Sequence, residues 1–409
     1  MRGLFSIDLE PGRARVRQRL LESSAAAHAR TGRMPVSMFA SDNQRSFWRR
    51  LIQPIPAMTD NTNVHVVPTP DGWLAMTETP VQQLIDGDSL RIKRRVEYDD
   101  ALGKASMMLA HPEHDREAGA LVNLAIKAGS SVSITPYSQW LGGYERRPIG
   151  TITMKELPYI HSFALTPTKV VVIAPPLRAS ALSLLWSNAG YIQHFRFRPE
   201  RATDVFVVDR KTGVVRQLEA DPFFFFHTVH AHDDGDDVVV DLCAYEDASL
   251  IQALGLPGLG KTPLPASRLS RLRVPARGAR ASLETLDAGP LEFASVNRGA
   301  LSGARPSLVF GAEVAAGEQG LRSTVRRVDL RGGAERRFCR EHVVYGEPVL
   351  VRRPGSGVED DAVLLAVGSD LVRRKAELVV LDARDLSPLA TARLPIALPL
   401  GFHGSFARA

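Results

Sequence analysis

An all-β propeller is the fold that this 409-residue sequence predicts. Three observations predict it. Short Val/Ile/Leu/Phe runs that end in Asp and a turn, each followed by a second extended run, recur along the chain. Sustained helical periodicity is scarce over the same length. Four histidines, each closing a short apolar run, sit too far apart in sequence to share one helix or hairpin, so any common partner must lie where separate strands converge.

The hairpins begin with Ile7-Asp8-Leu9-Glu10-Pro11-Gly12. Val205-Phe206-Val207-Val208-Asp209-Arg210-Lys211-Thr212-Gly213, Val328-Asp329-Leu330-Arg331-Gly332-Gly333 and Leu378-Val379-Val380-Leu381-Asp382-Ala383-Arg384-Asp385 repeat the pattern. The Asp side chain can accept from backbone amides just ahead, and Gly supplies the positive φ that tight turns need. Propeller blades are typically four-stranded and run about 40 to 50 residues, but the repeat here is too degenerate to count them. A strand-Asp-turn usually belongs to the outer part of a blade, so the copy at Ile7 implies a chain that starts mid-blade, about one to two strands short of a closed ring. Few helices are expected. Ser180 to Gln193, with Leu182, Leu184, Leu185 and Trp186, reads as a short amphipathic helix, and Arg13 to Ala27 as a second helix or as strand and loop. Ala266 to Pro290, rich in Arg, Ala, Gly and Pro, reads as surface loop. The whole chain, 1–409, is expected to form a single domain.

A hydrophobic fraction of 44% and a charged fraction of 23% are those of an ordinary soluble globular chain. The net charge of +6 is carried by dispersed Arg residues without an aromatic-interleaved basic stripe, which argues against nucleic acid. Cys243 and Cys339 are the only cysteines, so a disulfide framework is not expected and a cytoplasmic setting is the default. No apolar run has the length of a signal peptide core or of a membrane span.

The histidine runs are Met107-Met108-Leu109-Ala110-His111, Leu157-Pro158-Tyr159-Ile160-His161, Phe223-Phe224-Phe225-Phe226-His227 and Leu398-Pro399-Leu400-Gly401-Phe402-His403. An unpaired buried polar group costs about 1 to 3 kcal/mol, so imidazoles beside such stretches imply ring nitrogens with partners. The separations of 50, 66 and 176 residues leave a shared ligand as the economical partner, and a metal on the axis of a repeating β fold fits.

Two other motifs look sharper than their context allows. Gly255-Leu256-Pro257-Gly258-Leu259-Gly260-Lys261-Thr262 matches a P-loop, but Pro263 and Pro265 follow where a helix must start, so no nucleotide triphosphate is expected. His230, His232 and Asp234 reproduce the His-x-His-x-Asp spacing of dinuclear zinc hydrolases, whose alternating strands and helices this chain lacks. His114, His194 and His342 read as surface or singly hydrogen-bonded residues.

Ala110-His111-Pro112, His161-Ser162-Phe163-Ala164-Leu165-Thr166, Asp221-Pro222-Phe223 through His227, Asp236-Asp237-Val238-Val239-Val240-Asp241-Leu242 and Gly401-Phe402-His403-Gly404-Ser405-Phe406 occur in order and span the chain. With these segments the sequence resembles the carotenoid cleavage oxygenase family, also known as the retinal pigment epithelial membrane protein family. The resemblance implies a seven-bladed β-propeller under a dome of loops and short helices. It also implies one Fe(II) per chain held by His111, His161, His227 and His403. Glu78 in Ala75-Met76-Thr77-Glu78, Glu292 in Leu291-Glu292-Phe293 and Glu347 in Gly346-Glu347-Pro348 fall where the family places glutamates that hydrogen-bond those ligands. A carboxylate accepting the non-ligating ring N–H fixes the tautomer and raises imidazole basicity.

The activity implied is O2-dependent cleavage of one C=C bond of an apolar polyene to two carbonyl products. Stilbene-cleaving relatives place a Lys directly before the first of these glutamates and a Tyr upstream. Here Thr77 takes the first place and Ser46-Phe47-Trp48-Arg49-Arg50 contains no Tyr, which favours a carotenoid or apocarotenoid over a stilbene. The family's N-terminal Arg-Asn-Gly-Pro and Asp-Gly-Asp-Gly segments are absent, which leaves a nonenzymatic binding propeller as the alternative class. Polyenes dissolve in membranes, so Leu182, Leu184, Leu185 and Trp186 are the candidate patch for a peripheral membrane contact.

Overall fold

The computed structural model describes residues 3–32, 39–42, 45–54, 57–98, 100, 102, 105–185, 187–255, 263–301, 305–317 and 320–408. Its residues divide into two compact units. One comprises Arg15–Phe163 and Thr168–Gln217 with Met1–Asp8, and the other Leu218–Ala409 with Leu9–Ala14 and Ala164–Pro167.

The chain opens with strands β1 (Gly3–Glu10) and β2 (Arg13–Leu20), which form a two-stranded sheet. Helices α1 (Ser24–Arg30) and α2 (Phe47–Ile52) follow. The Ser23 and Ser46 side chains cap them by accepting from Ala26 N and Arg49 N. Arg13 to Ala27 is therefore strand first, then the start of a helix. Strands β3 (His65–Thr69), β4 (Gly72–Met76), β5 (Gln83–Ile85) and β6 (Ile92–Arg95) make an antiparallel sheet in that order. A six-stranded sheet comes next: β7 (Met107–Met108), β8 (Glu113–Asp115), β9 (Ala120–Ala128), β10 (Val132–Trp140), β11 (Arg146–Pro148) and β12 (Ile152–Met154). Val67, Leu74 and Met76 pack with Ala110 and Leu121, so the sheet that ends beside Glu78 is pressed onto the segment that delivers His111.

The next strands are β13 (Leu157–Pro158), β14 (Ala164–Leu165), β15 (Lys169–Ala174), β16 (Leu177–Ala179), β17 (Arg196–Phe197), β18 (Thr203–Asp209) and β19 (Val215–Ala220). They form a three-stranded sheet ordered β13-β16-β17 and a four-stranded one ordered β14-β15-β18-β19. Ser180 to Gln193 is not the amphipathic helix expected. It holds two 3₁₀ turns, Ala181–Leu184 and Tyr191–His194. The Ser183 hydroxyl donates to the Ser180 carbonyl, a local bond that competes with helix propagation, and Leu185 is already extended where a longer helix would continue.

The second unit contains three further sheets. One is β20 (Phe224–Asp234), β21 (Asp237–Tyr245), β22 (Arg268–Val274) and β23 (Ser282–Pro290), with α3 (Ser249–Ala253) in the connection between β21 and β22. The second is β24 (Glu292–Ser295), β25 (Leu308–Gly317), β26 (Gly320–Asp329) and β27 (Arg336–Phe338), with α4 (Arg298–Leu301) after its first strand. The third is β28 (Val343–Tyr345), β29 (Val349–Arg352), β30 (Ala362–Asp370), β31 (Lys375–Asp382) and β32 (Pro388–Arg393). Ala266 to Pro290 is thus mostly strand, not surface loop. Its arginines disguise a buried strand because their partners are remote in sequence: Arg271 makes paired bonds of 2.7 and 2.8 Å to Asp241, and both side chains are buried.

The hairpin chemistry follows expectation. Asp209 Oδ1 accepts from the amides of Lys211 and Thr212, Asp329 Oδ1 from Arg331 and Asp382 Oδ1 from Arg384. Gly12 and Gly213 take φ of 71° and 72° at their turns. No helix among the described residues is long and apolar enough to cross a membrane. Cys243 and Cys339 are both free.

Removing one partner of a buried ion pair leaves an uncompensated charge. Asp241→Ala should therefore lower unfolding stability by about 3 to 5 kcal/mol in urea, whereas Asp241→Leu combined with Arg271→Met should lose much less.

Candidate metal centre

His111, His161 and His227 follow apolar runs whose burial fixes the backbone, whereas Leu400 and Phe402 before His403 are exposed. Met107 through Ala110 are buried, the Leu109 carbonyl accepts from the Asn123 amide at 2.9 Å, and His111 emerges at the end of that segment. The Ala110 carbonyl bonds His65 Nδ1 at 3.0 Å, and the His65 ring stacks on His111 with centroids 5.4 Å apart. His161 follows β13, where Tyr159 N–H donates to the Leu177 carbonyl at 3.0 Å. Its ring centroid lies 4.6 Å from that of His111. His227 lies on β20 where the pairing with β21 slips between Phe225 and Thr228. His403 lies in the segment after β32.

Three of the histidines each meet a glutamate. His161 Nδ1 meets Glu78 Oε1 at 2.5 Å, His227 Nδ1 meets Glu292 Oε2 at 2.7 Å, and His403 Nδ1 meets Glu347 Oε1 at 3.3 Å. Glu347 also accepts from Gly404 N–H at 2.9 Å, which holds the backbone just past His403. With the proton on each Nδ1 and donated to a carboxylate, the other nitrogen presents a lone pair. His227 Nε2 and His403 Nε2 then face each other at 3.2 Å.

The ligand atoms of His111, His161, His227 and His403 all lie within 4.8 Å of one another. Two imidazole nitrogens on opposite sides of one ion, each bound at about 2.1 Å, stand about 4 Å apart. Four imidazole nitrogens at that spacing are a donor set that fits a divalent first-row metal. Among the described residues no other group of three or more His, Cys, Asp or Glu converges in this way. In particular His230, His232 and Asp234 do not. His230 and His232 stack with ring centroids 5.7 Å apart and are buried near the Asp241–Arg271 pair, and burial lowers the His232 pKa, which favours the neutral ring. The dinuclear zinc spacing is therefore a property of alternation along β20, not a ligand set. His114 and His342 are exposed and His194 is half-buried. The P-loop match from Leu256 to Thr262 lies outside the described residues.

Two more residues belong to the site. The Tyr159 hydroxyl donates to Glu78 Oε1 at 3.1 Å and lies 3.1 Å from His161 Nδ1, so Glu78 receives a phenol as well as an imidazole. Burial first, and the Glu78 charge second, raise the Tyr159 pKa well above its ordinary value, which keeps it a donor. Tyr159 sits two residues before His161, and residues at that spacing along extended chain share a face, so alternation could have flagged it. Phe293 packs against His227 and His403 with centroids 5.5 and 5.4 Å away. No sequence pattern pointed to it or to His65.

Leu182 is exposed, Leu184 and Leu185 are half-buried, and Trp186 lies outside the described residues. More exposed apolar surface is found on α2, at Phe47, Trp48, Leu51 and Ile52. Arg45 Nη2 donates to the Ser187 carbonyl at 2.7 Å and Asn188 Nδ2 to the Arg45 carbonyl at 3.1 Å, which ties the start of α2 to the end of the Leu182 segment.

Histidines backed by carboxylates on an all-β scaffold define a class of polyhistidine centre. The model of the retinal pigment epithelial membrane protein family matches residues 3–408, and the chain belongs to that family. It is 33% identical over 368 residues to the carotenoid cleavage dioxygenase 8 homolog A, chloroplastic, of Oryza sativa subsp. japonica, a match covering 85% of this chain and 65% of the rice protein. It is 26% identical to the Arabidopsis thaliana carotenoid cleavage dioxygenase 8, chloroplastic, over 98% of this chain and 76% of that protein. Cobalt-substituted Synechocystis ACO superposes with a TM-score of 0.85 at 22% identity, over 99% of this chain and 87% of that one. That likeness shows the fold: the seven-bladed propeller that the family resemblance implies.

Tyr159→Phe removes one donor from Glu78 and leaves the ring. Divalent metal affinity measured by chelator competition should fall less than with Glu78→Ala, for which a loss of about 10- to 100-fold is expected.

Proposed function

We propose that this chain is a nonhaem Fe(II) dioxygenase that cleaves one conjugated C=C bond of a carotenoid or apocarotenoid with O2, giving two aldehyde or ketone products. The convergence of His111, His161, His227 and His403 within 4.8 Å carries the reading. The names of its relatives, carotenoid cleavage dioxygenases, support it. In this reading residues 1–409 act as one domain that holds one iron.

When bound, the iron supplies the activation of O2 that the side chains cannot. The protein's own groups set its surroundings. The four imidazoles hold the ion without adding negative charge. Glu78, Glu292 and Glu347 keep the protons on Nδ1 and so keep the other nitrogens available. The alkene is itself electron-rich, and both oxygen atoms are consumed as one C=C bond becomes two C=O bonds, so no separate reductant is required. Thr77, buried directly before Glu78, offers no lysine charge to a phenol, which supports a polyene over a stilbene.

An apolar substrate must be drawn from lipid by a protein we place in the cytoplasm. We assign the membrane contact to Leu182 together with α2, whose Trp48 and Ile52 are 69% and 84% exposed and flank Arg49 and Arg50. Aromatic and aliphatic side chains beside basic ones suit the interface of an anionic bilayer.

Protein reconstituted with Fe(II) and given an apocarotenal should retain one iron per chain, take up O2 and yield a shorter aldehyde. His161→Ala should lose the iron. A chain that binds iron yet takes up no O2 with any carotenoid, apocarotenal or stilbene would sink the enzymatic reading, and one that binds no metal would favour a binding propeller. For the membrane contact, replacing Trp48, Leu51 and Ile52 together with Ser should abolish co-sedimentation with anionic liposomes while leaving iron content unchanged.

A further inference from the structure

Side chains of consecutive strand residues point to opposite faces. Glu292 and Phe293 are consecutive on β24, yet both touch His227. The Glu292 carboxylate accepts its Nδ1–H at 2.7 Å, and the Phe293 ring lies 5.5 Å away centre to centre. The pairing explains how. Between Glu292↔Ala312 and Ser295↔Phe310 the register slips by one residue, a β-bulge. Phe293 occupies the left-handed region at φ 51°, where such bulges ordinarily use glycine.

The surroundings are shaped to this irregularity. The left-handed turn brings the Phe293 amide onto the preceding carboxylate, so Glu292 Oε2 accepts from Phe293 N–H at 3.2 Å as well as from His227. Gly311 lies on the partner strand across the slip. A Cβ there would stand 2.8 Å from the Leu291 side chain and 2.9 Å from the Glu292 carbonyl, so the partner strand is notched where the bulge enters. The Phe293 ring also meets His403 edge-on, with centroids 5.4 Å apart and planes at 67°.

We propose that Phe293 is a positioning residue for His227 and His403, held in a strained backbone conformation so that one bulge aims both a carboxylate and a ring at the same pair of imidazoles. The proposal rests on reading the four histidines as a metal centre. Bulges of this kind re-aim side chains beside active sites, and strain at such positions persists only where the surrounding packing imposes it. Here the ring closes off one side of each imidazole, while Glu292 fixes His227 along its Nδ1–H bond.

The test compares wild type with F293G and F293L. Each is titrated with Co(II), whose visible absorption reports ligand geometry. Glycine takes positive φ without strain, which offsets part of the packing lost with the ring, so F293G should remain folded with a cooperative melting transition. It should nonetheless hold cobalt about 10-fold more weakly, with shifted visible bands. F293L keeps an apolar side chain but loses the ring, and should show the same change of spectrum. In metal-free protein carrying ¹⁵N-labelled histidine, the downfield Nδ1–H resonance of His227 should move or broaden in both variants. A wild type that takes no cobalt removes the metal-centre reading, and that resonance then decides the role of Phe293 on its own. If it is unchanged in both variants, and cobalt affinity and spectrum are unchanged wherever cobalt binds, the proposal is overturned.

Discussion

An imidazole can offer its lone pair from only one nitrogen at a time, and the proton on the other nitrogen decides which. That constraint governs His161, His227 and His403, where a carboxylate waits at each Nδ1. A carboxylate moved to the opposite nitrogen would turn the acceptor side away and leave a cluster of half-buried rings with nothing to share. The glutamates therefore do more than orient. They choose the tautomer, and with it which nitrogen each of these three rings presents. Burial of the preceding segments sets where the rings of His111, His161 and His227 start, and the proton sets which nitrogen a ring presents.

The arrangement distributes the work unevenly. Glu347 sits at 3.3 Å from its histidine but also holds Gly404 N–H, so it anchors backbone as much as ring. Glu78 makes the short contact and is shared with a phenol that burial keeps protonated. Glu292 is steadied by its own neighbour's amide. Three chemically identical residues are thus held by three different local devices, each suited to the backbone available at that point.

Much of this was legible in the sequence, because it rests on short-range chemistry. Asp209, Asp329 and Asp382 announce their turns by bonding amides a few residues ahead, and His111, His161 and His227 announce themselves by closing runs too apolar to tolerate an idle imidazole. What failed did so for identifiable reasons. The 266–290 stretch hid two strands because Arg271 is neutralised by Asp241, a residue 30 positions away that no local pattern can supply. Ser180 to Gln193 kept helical spacing of its leucines while Ser183 bonded the backbone and broke the helix into turns. His230 and His232 had the spacing of ligands, but spacing along a strand fixes a face and not a focus. Phe293 was invisible because its direction comes from a bulge that exists only once β24 has paired with β25.

The order of the ligands along the chain also has a consequence in time. Synthesis runs from the N-terminus, so His111, His161 and His227 are made well before His403, which comes 176 residues after the third. Until then at most three of these four imidazoles are available, a donor number that zinc accepts in many proteins. On the proposed reading of these histidines as a metal centre, the full donor set exists only once His403 has been made. On that reading, any discrimination between metals that depends on all four imidazoles falls at the end of synthesis.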